Sequence, residues 1–158
     1  MIRILVAAVG RARTPGLAEA IAEYEGRSGR YFRFEPIEVP QAALPDERAD
    51  EARGREAEAL LGRLPGDLER VALTRGGTLW STRQLATRFA EAQTYGLAGF
   101  AFVIGGAHGL DEAVLSAAKH RVALSRMTLP HELARLVLTE QIYRAGTLLR
   151  GEPYHKGR

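Results

Sequence analysis

Phe100-Ala101-Phe102-Val103-Ile104, running into Gly105-Gly106-Ala107-His108-Gly109, is the stretch that decides the fold. Five consecutive apolar residues read as a strand buried on both faces, and the glycines after them read as a tight turn. Asp111 then stands where a helix N-cap belongs. The same unit recurs upstream. Ile2 to Val9 is a near-continuous apolar run ending at Gly10, and Thr14-Pro15 supplies an N-cap with proline at the first position of a helix that runs to about Gly29. Tyr31 to Val39 alternates apolar and charged residues before Pro40, as a half-exposed strand does. From Leu44 to Leu64 the chain is charged, and Ala49, Ala52, Ala57, Leu60 and Leu61 form the thin apolar stripe of a surface helix. Val71 to Thr74 is a short strand running into Gly76-Gly77. Ser81 with Gln84 makes a capping box for a helix through Tyr95, stopped by Gly96 and Gly99.

Downstream, Arg121 to Leu124 is brief and β-like, and a last helix opens at Pro130 and runs to about Arg150. Strand and helix alternate throughout, which predicts an α/β fold: a mostly parallel sheet flanked by helices, because parallel neighbours need crossover connections. No repeat or low-complexity linker divides the chain, and 158 residues suit one domain with one continuous core better than two.

The apolar start is too short to span a bilayer, and Gly10-Arg11-Ala12-Arg13 offers neither a cleavage site nor a stop-transfer pattern. The absence of cysteine excludes a disulfide framework and thiolate chemistry, and it fits a reducing cytoplasm. Charge is uneven: residues 119–158 hold eight Lys/Arg against three Glu, so the rest of the chain is net acidic. A basic C-terminal third fits a partner that carries phosphate; it also fits a solvated helix face. The last helix carries Leu133, Leu136, Val137, Leu138, Ile142, Tyr143, Leu148 and Leu149, apolar on more than one side, as expected of a helix that also meets a second subunit. Burial within one chain would explain it too.

Ligands of open α/β sheets bind beyond the carboxyl ends of the strands, where glycine lets the backbone approach closely. Gly105 to Gly109 sits at such an end but matches neither the dinucleotide fingerprint nor the phosphate loop. Leu124-Ser125-Arg126-Met127-Thr128-Leu129-Pro130-His131 joins a strand end to a helix start. It offers backbone donors and acceptors, hydroxyls and apolar side chains, which suits an adenine base and equally an ordinary loop. His131-Glu132 starts like a zinc-protease motif, but position 135 is Arg, and neither His108 nor His120 has a ligand-spaced partner, so no metal is expected. No serine stands on a nucleophile elbow. The tail, Arg150-Gly151-Glu152-Pro153-Tyr154-His155-Lys156, combines an aromatic ring, an imidazole and a cation, the groups that stack on a base, relay a proton and pair with phosphate.

Taken in order, Phe102 to Gly106, Leu124 to His131, Glu140-Gln141-Ile142-Tyr143-Arg144-Ala145 and Pro153-Tyr154-His155-Lys156 resemble the RlmH family, the SPOUT-class methyltransferases of pseudouridine in large-subunit ribosomal RNA. The resemblance spans the chain. It implies a SPOUT fold over residues 1–158 with a C-terminal trefoil knot in about residues 100–158, a homodimeric active site and S-adenosylmethionine as methyl donor. The acceptor it implies is N3 of a pseudouridine in 23S rRNA of the assembled ribosome. Cofactor contacts carry over onto Leu73, Gly105, Leu124, Ser125, Arg126, Met127, Thr128 and Leu129. Tyr154, His155 and Lys156 are expected to reach the partner's pocket, with His155 the first candidate to accept the imide proton and His131 the second. Arg144 is a candidate for holding RNA or the tail. Where relatives often carry lysines after the second strand, this chain has Pro45-Asp46-Glu47-Arg48-Ala49-Asp50-Glu51, so Arg48, Arg53 and Arg55 are not expected to bind RNA. The rival readings are a nucleotide-dependent α/β protein, which lacks its phosphate loop, and a non-enzymatic RNA-binding dimer that assists ribosome assembly.

Overall fold

The computed structural model describes residues 1–156, the side chains of His155 and Lys156 excepted; the expectations placed on those two side chains lie outside the described residues. Five strands, β1 (Arg3–Val9), β2 (Arg33–Val39), β3 (Glu69–Leu79), β4 (Gly99–Ile104) and β5 (His120–Ala123), form one sheet in the order β2-β1-β4-β3-β5. Every pairing is parallel. The helices are α1 (Leu17–Ser28), α2 (Ala49–Arg63), α3 (Thr82–Thr94), α4 (Glu112–Ala117) and α5 (His131–Leu149).

From Ile4 to Val9 in β1, and throughout β4, the sheet's interior strands are apolar because both their faces are covered. Side chains alternate across a strand. Ile4, Val6 and Ala8 of β1 and Phe100, Phe102 and Ile104 of β4 enter one cluster with Phe89 of α3 and Leu138 and Ile142 of α5. Leu5, Ala7, Val9, Ala101 and Val103 enter the other, with Ala57 and Leu60 of α2 and Val114 of α4. The edge strand β2 alternates as its sequence implies, burying Ile37 and Val39, and it accommodates Pro36, which a central strand would not.

Two elements depart from the sequence reading. Thr14 does not cap α1: its N–H and its hydroxyl both donate to Glu132, at 3.0 and 2.6 Å, so the helix begins only at Leu17, after Gly16. The Glu19 side chain takes the Gly16 N–H instead. The third strand also does not end at Thr74. Leu73 and Thr78 both pair with Val122, the segment between them bulges, and β3 continues to Leu79. Gly77 makes this crossing feasible, since a β-carbon there would stand 2.6 Å from the Val122 backbone.

The last helix packs on α1 and α3 and buries Leu138, Ile142, Tyr143 and Ala145. Leu133, Leu136 and Val137, on its first half, are only partly covered by this chain. Arg135 is buried on the same helix, 2.7 Å from Glu25 and 3.2 Å from Glu38.

Candidate active site

The carboxyl ends of β3, β4 and β5 meet the start of α5 around a pocket of about 830 Å³. The sheet order puts β4 and β5 on either side of β3, so three loops distant in sequence converge there. Of the expected cofactor residues, Leu73, Gly105, Leu124, Ser125, Met127, Thr128 and Leu129 line the pocket together. Arg126 does not line it. Its guanidinium turns back to the carbonyl oxygens of Gly77 and Arg75, at 3.2 and 3.4 Å, and ties the loop to the bulge in β3.

Gly105 lies so close to the chain at Gly109 that a β-carbon on it would stand 2.7 Å from the Gly109 carbonyl carbon. The loop therefore closes on itself without side chains between, with Gly109 donating to the Gly106 carbonyl at 3.1 Å. The result is a wall of bare backbone facing an apolar floor of Leu73, Ile104, Leu124 and Leu129. Ser125 tightens the opposite loop by accepting from the Met127 N–H at 2.9 Å. Backbone groups and aliphatic side chains gathered around one cavity are recognition elements that suit an adenine base.

Several wall residues carried no signal of their own in the sequence. Arg53 of α2 reaches the pocket and donates to the His108 carbonyl at 3.3 Å while pairing with Asp50. Arg48 and Arg55, by contrast, are held by Glu51 away from the pocket. Behind the wall, Glu56, one turn on from Arg53, is buried without lining the pocket; one oxygen accepts from the Ala42 N–H at 3.0 Å and the other has no partner among the described residues. His131 lines the pocket at the first turn of α5. Beside it, Glu132 accepts from the Thr14 hydroxyl and the backbone N–H groups of Thr14 and Arg13, and these bonds bring its carboxyl down to about 2.

The remaining expected residues sit elsewhere. Tyr154 folds back onto α5: its ring lies 4.7 Å from that of Tyr143 and beneath the Arg144 guanidinium, 4.8 Å away. Its hydroxyl donates to Glu140 at 3.0 Å and receives the hydroxyl of Tyr24 at 3.2 Å. Burial and these two bonds raise the Tyr154 hydroxyl well above the usual tyrosine range. Hydrogen bonds to Glu140 likewise raise Arg144. Since His131 and Arg144 are thirteen residues apart on one helix, this cluster lies about 20 Å along the axis from the pocket. Arg144 and Tyr154 are brought to each other and not to the pocket of their own chain. Among the described residues, no group of three or more His, Cys, Asp or Glu side chains is placed to hold a metal ion.

The glycine-walled pocket beyond three parallel strands, closed by a C-terminal helix, stands in a methyltransferase class: a family model described as predicted SPOUT methyltransferase matches residues 2–155. At the level of the particular family, three curated relatives bear the name ribosomal RNA large subunit methyltransferase H. That of Anaeromyxobacter sp. (strain Fw109-5) is 53% identical over 156 residues, and that of Gemmatimonas aurantiaca 48% over 155. That of Listeria monocytogenes serotype 4a is 39% identical over 159. Each alignment covers 98% of this chain and all of the relative. The chain therefore belongs to the ribosomal RNA large subunit methyltransferase H family of SPOUT methyltransferases. A probable methyltransferase from Bordetella pertussis Tohama I shares the fold at 17% identity, with a TM-score of 0.57, covering 91% of this chain and 96% of that one.

Proposed function

We propose that this protein transfers a methyl group from S-adenosylmethionine to N3 of a pseudouridine in 23S rRNA of the assembled ribosome, acting as a homodimer in the cytoplasm. The observation that carries this reading is the pocket itself, in which two glycine-rich and hydroxyl-rich loops meet over an aliphatic floor. Gly105 lets the loop close on the Gly109 backbone with no side chain between, which leaves main-chain groups to form that part of the wall. Leu73, Leu124 and Leu129 would cover the faces of the adenine base, and the backbone of residues 124–129 would read its edge. The donor supplies an electrophilic methyl group. The names of the full-length relatives support ribosomal RNA as the acceptor. Residues 1–158 are read as one SPOUT domain, since both apolar clusters rest on a single sheet.

The protein's own work is positioning and proton management. An imide nitrogen attacks only after losing its proton, and near-contact alignment supplies much of the acceleration. His155 would accept that proton, and Lys156 and Tyr154 would hold the base and its developing negative charge. Such a tail cannot serve the pocket of its own chain while Tyr154 is docked about 20 Å down α5, so it would serve the partner's. The partly covered Leu133, Leu136 and Val137 supply an apolar surface for that partner. Arg144, stacked on Tyr154, would brace the tail.

Calorimetric titration with S-adenosylmethionine, followed by single-turnover methylation with saturating ribosomes, tests this reading. Micromolar binding and transfer are expected, with His155→Ala binding normally but transferring at least 100-fold more slowly. No binding at millimolar ligand removes the methyltransferase reading, and normal single-turnover chemistry in His155→Ala removes the proton-accepting role.

A further inference from the structure

Arginines that form no ion pair among the described residues are spread over this fold, Arg30, Arg33, Arg63, Arg70, Arg83, Arg88 and Arg150 among them, but four more gather at one end of the sheet. Eight arginines form ion pairs among the described residues: Arg3, Arg27, Arg48, Arg53, Arg55, Arg121, Arg135 and Arg144. Arg11, Arg13, Arg75 and Arg126 form none, are all exposed, and all belong to the end of the sheet where the pocket opens. Arg11 and Arg13 follow the carboxyl end of β1, and the Arg13 N–H donates to Glu132 at 2.6 Å, fixing this turn against the first turn of α5. Gly10 beside them is close enough to His131 that a β-carbon on it would lie 3.8 Å from Nε2. Arg75 lines the pocket in the β3 bulge and reaches the Thr128 hydroxyl at 3.3 Å. Arg126 bonds only to carbonyl oxygens, which orient its guanidinium and leave its charge whole.

The acids at this end are largely occupied. Glu132 is held by Thr14 and Arg13, and Glu112 pairs with Arg121 at 3.3 Å. Asp46 lies 3.7 Å from His108 on the α2 side. Met127, 78% exposed between Arg126 and Thr128, adds an apolar spot to an otherwise cationic border. Guanidinium groups with full charge around a pocket, with one apolar contact among them, are what a folded RNA strand with an unstacked base requires.

We propose that Arg11, Arg13, Arg75 and Arg126 form a phosphate-binding rim that seats the ribosomal RNA around the pocket mouth, with Met127 against an unstacked base. The proposal rests on the reading of the pocket as the site of RNA methylation, and it assigns the RNA to the loop after β1 as well as to the C-terminal third. Arg48, Arg53 and Arg55, at and near the start of α2, are left out because they are committed to Asp50 and Glu51.

The test is the affinity of the full-length protein for purified ribosomal particles as a function of salt. Each phosphate contact contributes a slope of roughly 0.7 to 0.9 in the log–log plot. Arg11→Gln/Arg13→Gln is expected to lower that slope by about one to two and to weaken binding about tenfold or more near physiological salt. Its calorimetric affinity for S-adenosylmethionine should stay at the wild-type value, because neither residue lines the pocket. Arg75→Gln should lower the slope by about one. Unchanged slopes in both variants overturn the rim, as does conversion of Arg11→Gln/Arg13→Gln to a monomer in sedimentation, which would make this turn a subunit contact. A wild-type protein that binds particles with this salt dependence but transfers no methyl group refutes the enzymatic reading and leaves the rim standing. One that transfers methyl normally while the variants keep its slope does the reverse.

Discussion

The Tyr154 hydroxyl donates to Glu140 Oε1 at 3.0 Å, the same oxygen that takes Nε and Nη2 of Arg144 at 3.0 and 2.7 Å. The second Glu140 oxygen accepts from Gln141, whose own carbonyl oxygen receives Thr82 of α3 at 2.6 Å. One carboxylate thus links the tail, α5 and α3. Tyr154→Phe keeps the ring beneath Arg144 and removes both hydroxyl bonds. It should cost about 1 kcal/mol of stability and lower kcat about tenfold through loss of tail alignment. Urea denaturation and steady-state methylation read the two effects separately; unchanged kcat with lowered stability would reduce the bond to a purely structural one.

If the tail serves the neighbouring subunit, two inactive variants must complement each other. Gly105→Val fills the pocket wall, where even a β-carbon meets the Gly109 backbone at 2.7 Å, and should abolish donor binding. His155→Ala spoils the tail. After subunit exchange in an equimolar mixture, half of the dimers are mixed, and each carries one intact pocket facing one intact tail. About a quarter of wild-type activity should return. No recovery despite demonstrated exchange would place tail and pocket in the same subunit.

Glu132 gives the fold an acid-sensitive latch. Its carboxyl sits at about 2 against an ordinary 4.5, chiefly through the Thr14 hydroxyl and then the Thr14 and Arg13 N–H groups. A depressed folded value means that the ionised form favours the native state above about 4.5, and that this contribution is lost as pH falls toward 2. Thermal unfolding of Glu132→Gln should therefore lose less stability than wild type between those two pH values. Parallel curves over that window would refute the latch.

Arg135 is buried and pairs with the largely covered Glu25 and the exposed Glu38, so truncating it strands the Glu25 carboxylate beside the core. Arg135→Ala should destabilise the protein by about 3 kcal/mol in chemical denaturation. A loss within experimental error of zero would mean that water reaches Glu25 too in the native state.

Neutralising Arg48 and Arg55 should leave ribosome affinity and its salt dependence close to wild type, because Glu51 already compensates both. Arg53 belongs to a different group, since it reaches the pocket and the His108 carbonyl. A large salt-sensitive loss in Arg48→Gln/Arg55→Gln would show that these side chains leave Glu51 to contact phosphate.

The parallel sheet was readable because β1 and β4 are apolar at both alternating sets of positions, a pattern that only burial on both faces explains. Helix ends were readable where the capping group had no competitor: Ser81 with Gln84 and Asp111 with Ala113 behave as their spacing implies. Thr14 misled because its best partner, Glu132, is 118 residues away, and local rules weigh only local partners. The bulge in β3 was hidden for the same reason, since Gly77 is shaped by the backbone of β5. In the site, the loops at Gly105 and Leu124 carried recognisable motifs. Arg53, Glu56 and Tyr24 did not, because a charged helix face and an aromatic on α1 acquire meaning only from what the fold sets against them.

Mass mapping of 23S rRNA tests most directly whether one of its pseudouridines receives its N3 methyl group from this protein. Nuclease fragments of 23S rRNA from cells lacking the protein should show one pseudouridine-containing fragment lighter by a single methyl group, restored by the wild-type protein and not by Gly105→Val. Fragment masses identical in the presence and absence of the protein would contradict the account.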